Sequence, residues 1–319
     1  MDMLAILHQN RRQLLRKPNV VGCGVGWKQR QGRSTGEQAL CVYVEQKVPP
    51  SQLGAQAIIP RQVGPVPTDV IEVGRMRTLA LRTHRLRPAP GGVSIGHYRV
   101  TAGTLGAVVK DRKTSEWLVL SNNHVLANGT DGRDGRAQVG DPILQPGPHD
   151  GGDLERDRFG SLARFIPLRR PPRRTPWWRW LLGGGPGDAP PQEANRVDAA
   201  LAKPDDPADL SPEIMGVGRL QGVARAEPGL QVMKSGRTTA LTSGEVQAVH
   251  VTMVVYLSDA EPVWFEEQIL TTPMVEGGDS GALLLSDRRA VGLLFAGSDR
   301  ASLANPIGAV LDGLGVDLV

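Results

Sequence analysis

Apolar residues recur at roughly helical spacing over residues 3–16, through Met3, Leu4, Ile6, Leu7, Leu14 and Leu15, and Pro18 ends the pattern. Beyond it the period shortens. Val20-Val21-Gly22-Cys23-Gly24-Val25-Gly26-Trp27 and Ala39-Leu40-Cys41-Val42-Tyr43-Val44 predict two strands joined by a polar, glycine-containing hairpin loop, and residues 69–73 predict a third. These elements make a small α+β module over residues 1–74. The periodicity then lapses over residues 75–92, where Arg75, Arg77, Arg82, Arg85 and Arg87 precede Pro88, Pro90, Gly91 and Gly92. That composition reads as a solvated, cleavable linker. From Val93 to Val319 short apolar runs are split by Gly, Asp and Pro, which predicts an all-β barrel or sandwich.

The β pattern is interrupted at residues 164–187, a stretch with six arginines, no acid, and Trp177, Trp178 and Trp180 within four positions. Flanking Pro and Gly make it a surface insertion. Clustered Trp and Arg are the residue types of interface hot spots, so the insertion and the N-terminal module are expected to carry self-association or regulation. Competing readings are a loop packing its tryptophans on its own domain, a membrane-surface contact, or a single-stranded nucleic-acid contact.

Composition sharpens this picture in four places. With 40% hydrophobic residues the chain can build a core, and 39 Gly plus 25 Pro argue for short strands and turns rather than a helical bundle. The net charge of +4 sits mainly in the two arginine stretches and does not mark a nucleic-acid protein. No apolar run approaches the length of a membrane span, and the five-residue run at the N-terminus is too short for a signal-peptide core. Cys23 and Cys41 are the only cysteines, so the expectation is a cytoplasmic protein with reduced thiols in its core. The glycine-rich VGCGVG run has no helix after it and therefore lacks the form of a phosphate-binding loop.

Three segments carry chemistry. Leu120-Ser121-Asn122-Asn123-His124-Val125-Leu126-Ala127 places a histidine at the end of an apolar strand. Asn195-Arg196-Val197-Asp198-Ala199-Ala200-Leu201 sets an aspartate in an apolar run, and Glu276-Gly277-Gly278-Asp279-Ser280-Gly281-Ala282-Leu283 sets a serine in a glycine-rich turn. A serine hydroxyl needs a base to become a nucleophile, and histidine titrates near neutrality. A buried carboxylate fixes the histidine tautomer, and glycine beside the serine lets backbone N–H groups converge on an oxyanion. Each segment alone is weak; the order His–Asp–Ser, with separations of 74 and 82 residues, makes them a set.

On these motifs the chain resembles the chymotrypsin-like (trypsin-fold) serine peptidases. SNNHVLA, RVDAALA and GGDSGA stand where that family carries its histidine, aspartate and nucleophile. Val232-Met233-Lys234-Ser235-Gly236-Arg237-Thr238-Thr239, Ala290-Val291-Gly292-Leu293-Leu294-Phe295-Ala296-Gly297-Ser298 and Asn305-Pro306-Ile307 follow the streptogrisin-type C-terminal half. The whole chain also looks like the plant narrow-leaf-type serine peptidases and their bacterial relatives. The resemblance implies a mainly β fold, two antiparallel β-barrels after the α+β module, with His124 and Asp198 from the first and Ser280 from the second. It implies an endopeptidase that acts on a protein or peptide substrate through an acyl-enzyme, without cofactor or metal, with Gly278 and Ser280 N–H groups as the oxyanion hole. It implies a substrate pocket of Met274, Ala296, Gly297 and Leu303, uncharged at its base, and hence cleavage after medium or large apolar residues. Glu276 is the acid that would change this if it reached the pocket.

The chain departs from the family at Phe295, where a serine usually supports the triad aspartate, and it has no evident activation site before Val93, which leaves open what holds Asp279. The rival functional class is a peptidase-fold scaffold with weak or no catalysis. Asp141 and Asp157 are alternative triad acids, and His149, Asp150 and Asp153 are a weak cation-site candidate. His250, alternating with apolar residues, reads as a strand residue with a polar partner.

Overall fold

The computed structural model describes residues 2–30, 33–74, 82–100, 102–170, 194–257 and 262–319. The chain divides into two compact units, Met1–Thr78 and Leu79–Val319.

In the first unit the helical pattern forms helix Met3–Leu15, capped by the Asp2 carboxylate, which accepts from Leu4 N at 3.0 Å. Strands Val20–Arg30 and Arg33–Val44 form the expected hairpin, and Val66–Glu72 pairs parallel to the second of them. Leu7 of the helix packs with Leu40 and Val66. The glycines of the VGCGVG run make room for larger neighbours across the hairpin: a Cβ on Gly26 would lie 2.9 Å from Cys41 Sγ, and one on Gly22 would touch the Tyr43 ring. Both cysteines are free thiols, and burial pushes each above the ordinary thiol range.

The second unit is mainly β, with two large curled antiparallel sheets in the arrangement of the trypsin-like fold and a small three-stranded sheet that includes one parallel pair. Gln231–Gly236, Ala240–Tyr256, Pro262–Thr271, Ser302–Pro306, Arg289–Gly297 and Leu283–Ser286 close, in that order of pairing, into a six-stranded barrel. The other large sheet is an eight-stranded ladder, in which the C-terminal strand Val316–Leu318 crosses back to pair with Ala107–Asp111 at one end. Helix Ile307–Leu314 makes that return, and its Ile307, Val310, Leu311 and Leu314 join Val109, Leu120, Leu201, Leu285 and Leu293 in one core shared by both sheets.

The reading of residues 75–92 as a solvated linker is corrected over its described part. Residues 75–81 lie outside the described residues, but Arg82 is buried, its Nη1 donating to Gly92 O, Ser235 Oγ and Gly236 O at 2.9, 2.8 and 3.2 Å. Arg87 pairs with Asp209 at 2.8 Å and lies over the Phe159 ring, while Ala89–Gly91 pairs with Leu210–Ile214. These arginines are held by backbone oxygens, an aromatic face and a carboxylate rather than by water. Residues 164–170 likewise belong to the fold: Arg164 pairs with Asp111 at 2.6 Å, and Leu168 is buried. Trp177, Trp178 and Trp180 of the expected insertion lie outside the described residues.

Candidate active site

Strand Trp117–Ser121 runs straight into the one-turn helix Asn123–Leu126, which presents His124 at its start. Val125 and Leu126 anchor that turn in the core of the first sheet. Asp198 sits just before strand Ala200–Pro204, paired next to Trp117–Ser121, so the sheet itself brings the two residues together. Its carboxylate is fully buried. Oδ2 lies 2.5 Å from His124 Nδ1, and Oδ1 accepts from the His124 backbone N–H at 3.2 Å.

Burial pushes the His124 imidazole down, but the Asp198 charge and hydrogen bond outweigh it, so the ring lies above the ordinary histidine value. The support expected from a serine at position 295 is replaced. Phe295 packs its ring on Phe265, and the Asp198 main chain is held instead by two buried amides. Asn122 Nδ2 donates to Asp198 O at 2.7 Å, and Asp198 N donates to Asn305 Oδ1 at 3.0 Å. Gln268 Oε1 in turn accepts from Asn305 Nδ2 at 2.6 Å.

Ser280 enters from the second barrel, on the turn before strand Leu283–Ser286. Thr104 of the first sheet reaches across to this turn, donating its N–H to Ser280 O at 2.7 Å and its hydroxyl to Gly278 O at 2.9 Å. Gly278 and Gly281 have φ of +97° and +95°. A Cβ on Gly281 would fall 2.1 Å from Ser121 Oγ, so the turn admits only glycine there. Among the described residues neither the Gly278 nor the Ser280 N–H has a hydrogen-bond acceptor. The Asp279 carbonyl, on the peptide that carries the Ser280 N–H, accepts from Ala282 N at 3.0 Å. The Ser280 hydroxyl donates to Phe295 O at 3.3 Å, and among the described hydrogen bonds none joins it to His124.

Asp279 is held from within the chain. Its fully buried carboxylate accepts from Thr238 N, Thr239 N and Glu276 N at 2.8, 3.1 and 3.1 Å and from Thr239 Oγ1 at 2.5 Å, and it pairs with the buried Lys234 ammonium at 3.1 Å. Burial alone would raise this carboxyl; the Thr239 hydroxyl, the Glu276 N–H and Lys234 together bring it below the usual carboxylate range. The turn that carries Ser280 is thus fixed without a new N-terminus.

The other candidates fall elsewhere. Asp141 serves His97 at 3.1 Å, and Asp157 lies 3.7 Å from Arg85, so neither competes for His124. Asp150 is engaged by Arg237, Asp153 accepts from Glu155 N and Arg156 N, and among the described residues no cluster of His, Cys, Asp and Glu has the form of a metal site. His250 lies in strand Ala240–Tyr256 and pairs with Glu267, as its alternation suggested.

The four expected pocket residues divide between two packing clusters and one close approach. Met274 packs in the core of the second barrel with Val232, Ile269 and Leu284. Leu303 and Ala296, partners across paired strands, pack with Phe295 and Phe265. A Cβ on Gly297 would meet Val275 Cγ2 at 2.3 Å. Sequence reasoning missed Lys234, Asn122, Asn305, Gln268 and Thr104. Of these only Lys234 left a trace, as a lone cation at an inward-facing position of an alternating strand.

No family model and no curated protein matches the chain. Among solved structures it is similar to a Nocardiopsis protease, at 17% identity over 72% of this chain and 97% of that one, with a TM-score of 0.48. Thermobifida fusca protease A gives the same values, and a Cellulomonas bogoriensis chymotrypsin gives 17% identity with a TM-score of 0.46 over the same shares.

Proposed function

We propose that the chain is a serine endopeptidase that cleaves peptide bonds through an acyl-enzyme on Ser280. The observation that carries this reading is the buried Asp198 carboxylate gripping both the ring and the backbone of His124, on a chain whose Gly278 and Ser280 N–H groups have no acceptor among the described residues. In this mechanism Ser280 Oγ bonds to the substrate carbonyl carbon while its proton passes to His124 Nε2. The carbonyl π pair moves onto oxygen, where the Gly278 and Ser280 N–H groups meet the charge. His124 then protonates the leaving amine as the C–N bond breaks, and water hydrolyses the acyl ester by the same route. Asp198 stays ionised throughout and holds the ring.

At the cleaved position the uncharged Met274 makes a cationic side chain costly to desolvate. Val275 Cγ2 lies so close to Gly297 that no Cβ would fit there, and in this reading it narrows the pocket beside the nucleophile. The proposed preference therefore tightens from medium or large apolar side chains to small apolar ones. A rival reading, a peptidase-fold scaffold, draws on the Ser280 hydroxyl being turned to Phe295 O; catalytic hydrogen bonds are often slack without substrate, which favours the enzyme.

A fluorophosphonate probe separates the two. Stoichiometric labelling at Ser280, with Ser280→Ala lowering kcat by about 10³-fold or more on a peptide substrate, supports the enzyme. Absence of labelling in folded protein supports the scaffold.

A further inference from the structure

The N–H of Gly278 belongs to the peptide that also carries the Gly277 carbonyl. That peptide is trans and planar, so its N–H and C=O point in opposite directions, and whatever holds the carbonyl aims the N–H. Thr238 Oγ1 holds it, donating to Gly277 O at 2.7 Å. A hydroxyl has one proton and two lone pairs, and a carbonyl oxygen can only accept, so the bond to Gly277 O exists only while that single proton points at it. Arg237 directs it. Arg237 Nη1 donates to Thr238 Oγ1 at 3.0 Å, occupying a lone pair and leaving the single hydroxyl proton for Gly277 O.

Arg237 is itself fixed. Its Nε donates to Asp150 Oδ2 at 2.8 Å and its Nη2 to Asp150 Oδ1, a bidentate pair, while its backbone N–H donates to Thr104 Oγ1 at 3.0 Å. Asp150 ends the short helical turn Pro148–Asp150 in the connections of the first sheet, so the relay spans both sheets. Nothing larger than glycine fits beneath it: a Cβ on Gly278 would lie 2.5 Å from Thr238 Oγ1 and 2.9 Å from Arg237 Nη1.

We propose that Asp150, Arg237 and Thr238 form a positioning relay that locks the 277–278 peptide with its N–H turned toward the substrate carbonyl, so that Thr238 and Arg237 set the oxyanion hole without touching substrate. The inference rests on the serine-peptidase reading of Ser280. Loss of the Thr238 hydroxyl frees Gly277 O, and the peptide can then turn its carbonyl, rather than its N–H, toward the developing charge.

The test uses the full chain. Thr238→Val removes the proton and keeps the shape, Thr238→Ser keeps the proton, and Asp150→Asn weakens the Arg237 anchor. Thr238→Val is expected to lower kcat by about 10- to 100-fold with KM changed less than about twofold, because one oxyanion donor is lost only in the transition state. Thr238→Ser is expected to restore the rate to within about threefold, and Asp150→Asn to fall between them. Affinity for a peptide aldehyde should fall in parallel with kcat, and the thermal midpoints of the two Thr238 variants should match wild type, since Thr238 is exposed. Thr238→Val equal to wild type, or Thr238→Ser as poor as Thr238→Val, overturns the relay while Ser280 still labels. A wild type that neither labels nor cleaves overturns the peptidase reading and the relay with it.

Discussion

Lys234→Met tests how the serine turn is held. Lys234 is fully buried, and its ammonium meets Asp279 Oδ2 at 3.1 Å, Ala240 O at 3.0 Å and Thr239 Oγ1. Methionine keeps the stem and removes the charge, leaving a buried carboxylate and a carbonyl without their cation. Losing one partner of a buried pair costs about 3–5 kcal/mol. Asp279 retains three backbone N–H donors and the Thr239 hydroxyl, which places the expected loss at the low end, about 3 kcal/mol. For a unit of this size that is a fall in thermal midpoint of about 6–12 °C.

The pH dependence carries a sign. Asp279 titrates below its ordinary value, so its stabilisation is present above that value and lost as pH falls through the lower, folded one. Without Lys234 the carboxyl titrates higher, and acid unfolding begins at a higher pH. Circular-dichroism melts of the full chain from acid to neutral pH measure both effects, and probe labelling at Ser280 reads the turn. A variant melting within about 2 °C of wild type at neutral pH, with its acid limb unmoved, would refute the reasoning.

The His124–Asp198 pair sets the acid limb of catalysis: kcat/KM should fall as pH drops through a His124 value above that of free imidazole. Asp198→Asn should lower kcat by about 10⁴-fold and move that limb down. The same pair stabilises the fold most at low pH and loses that contribution as pH rises through the raised value, a slope in melting temperature that Asp198→Asn should flatten. Val275→Gly should admit Leu and Phe at the cleaved position in a peptide-library profile, and an unchanged profile would show that Val275 does not bound the pocket.

What the sequence made legible was chemistry that resides in side-chain type. His124, Asp198 and Ser280 were readable because each is a residue type the reaction requires, on a local pattern that ends a strand or makes a glycine turn. The structure joins the first two at 2.5 Å. What stayed hidden depends on backbone partners, which leave no sequence signature. Arg82 sat among five arginines and looked solvated, yet its acceptors include Gly92 O, Gly236 O and Ser235 Oγ, the last 153 residues away. Asn305 and Asn122 hold Asp198 through its main chain, so no complementary side chain announced them. Met274 was placed by its offset from the nucleophile, whereas its environment is set by Val232 and Leu284, strands that meet it only in the closed barrel. The eight-stranded ladder was likewise beyond local pattern, since Leu318 pairs with Val109 across nearly the whole unit. The same division explains the serine turn. Its nucleophile is written in GGDSG, but the groups that make the turn rigid, Lys234, Thr238, Thr239 and Thr104, lie on other strands and act on carbonyls, N–H groups and one buried carboxylate. A substitution that removes one of these donors should therefore change catalysis while leaving the recognisable motif untouched.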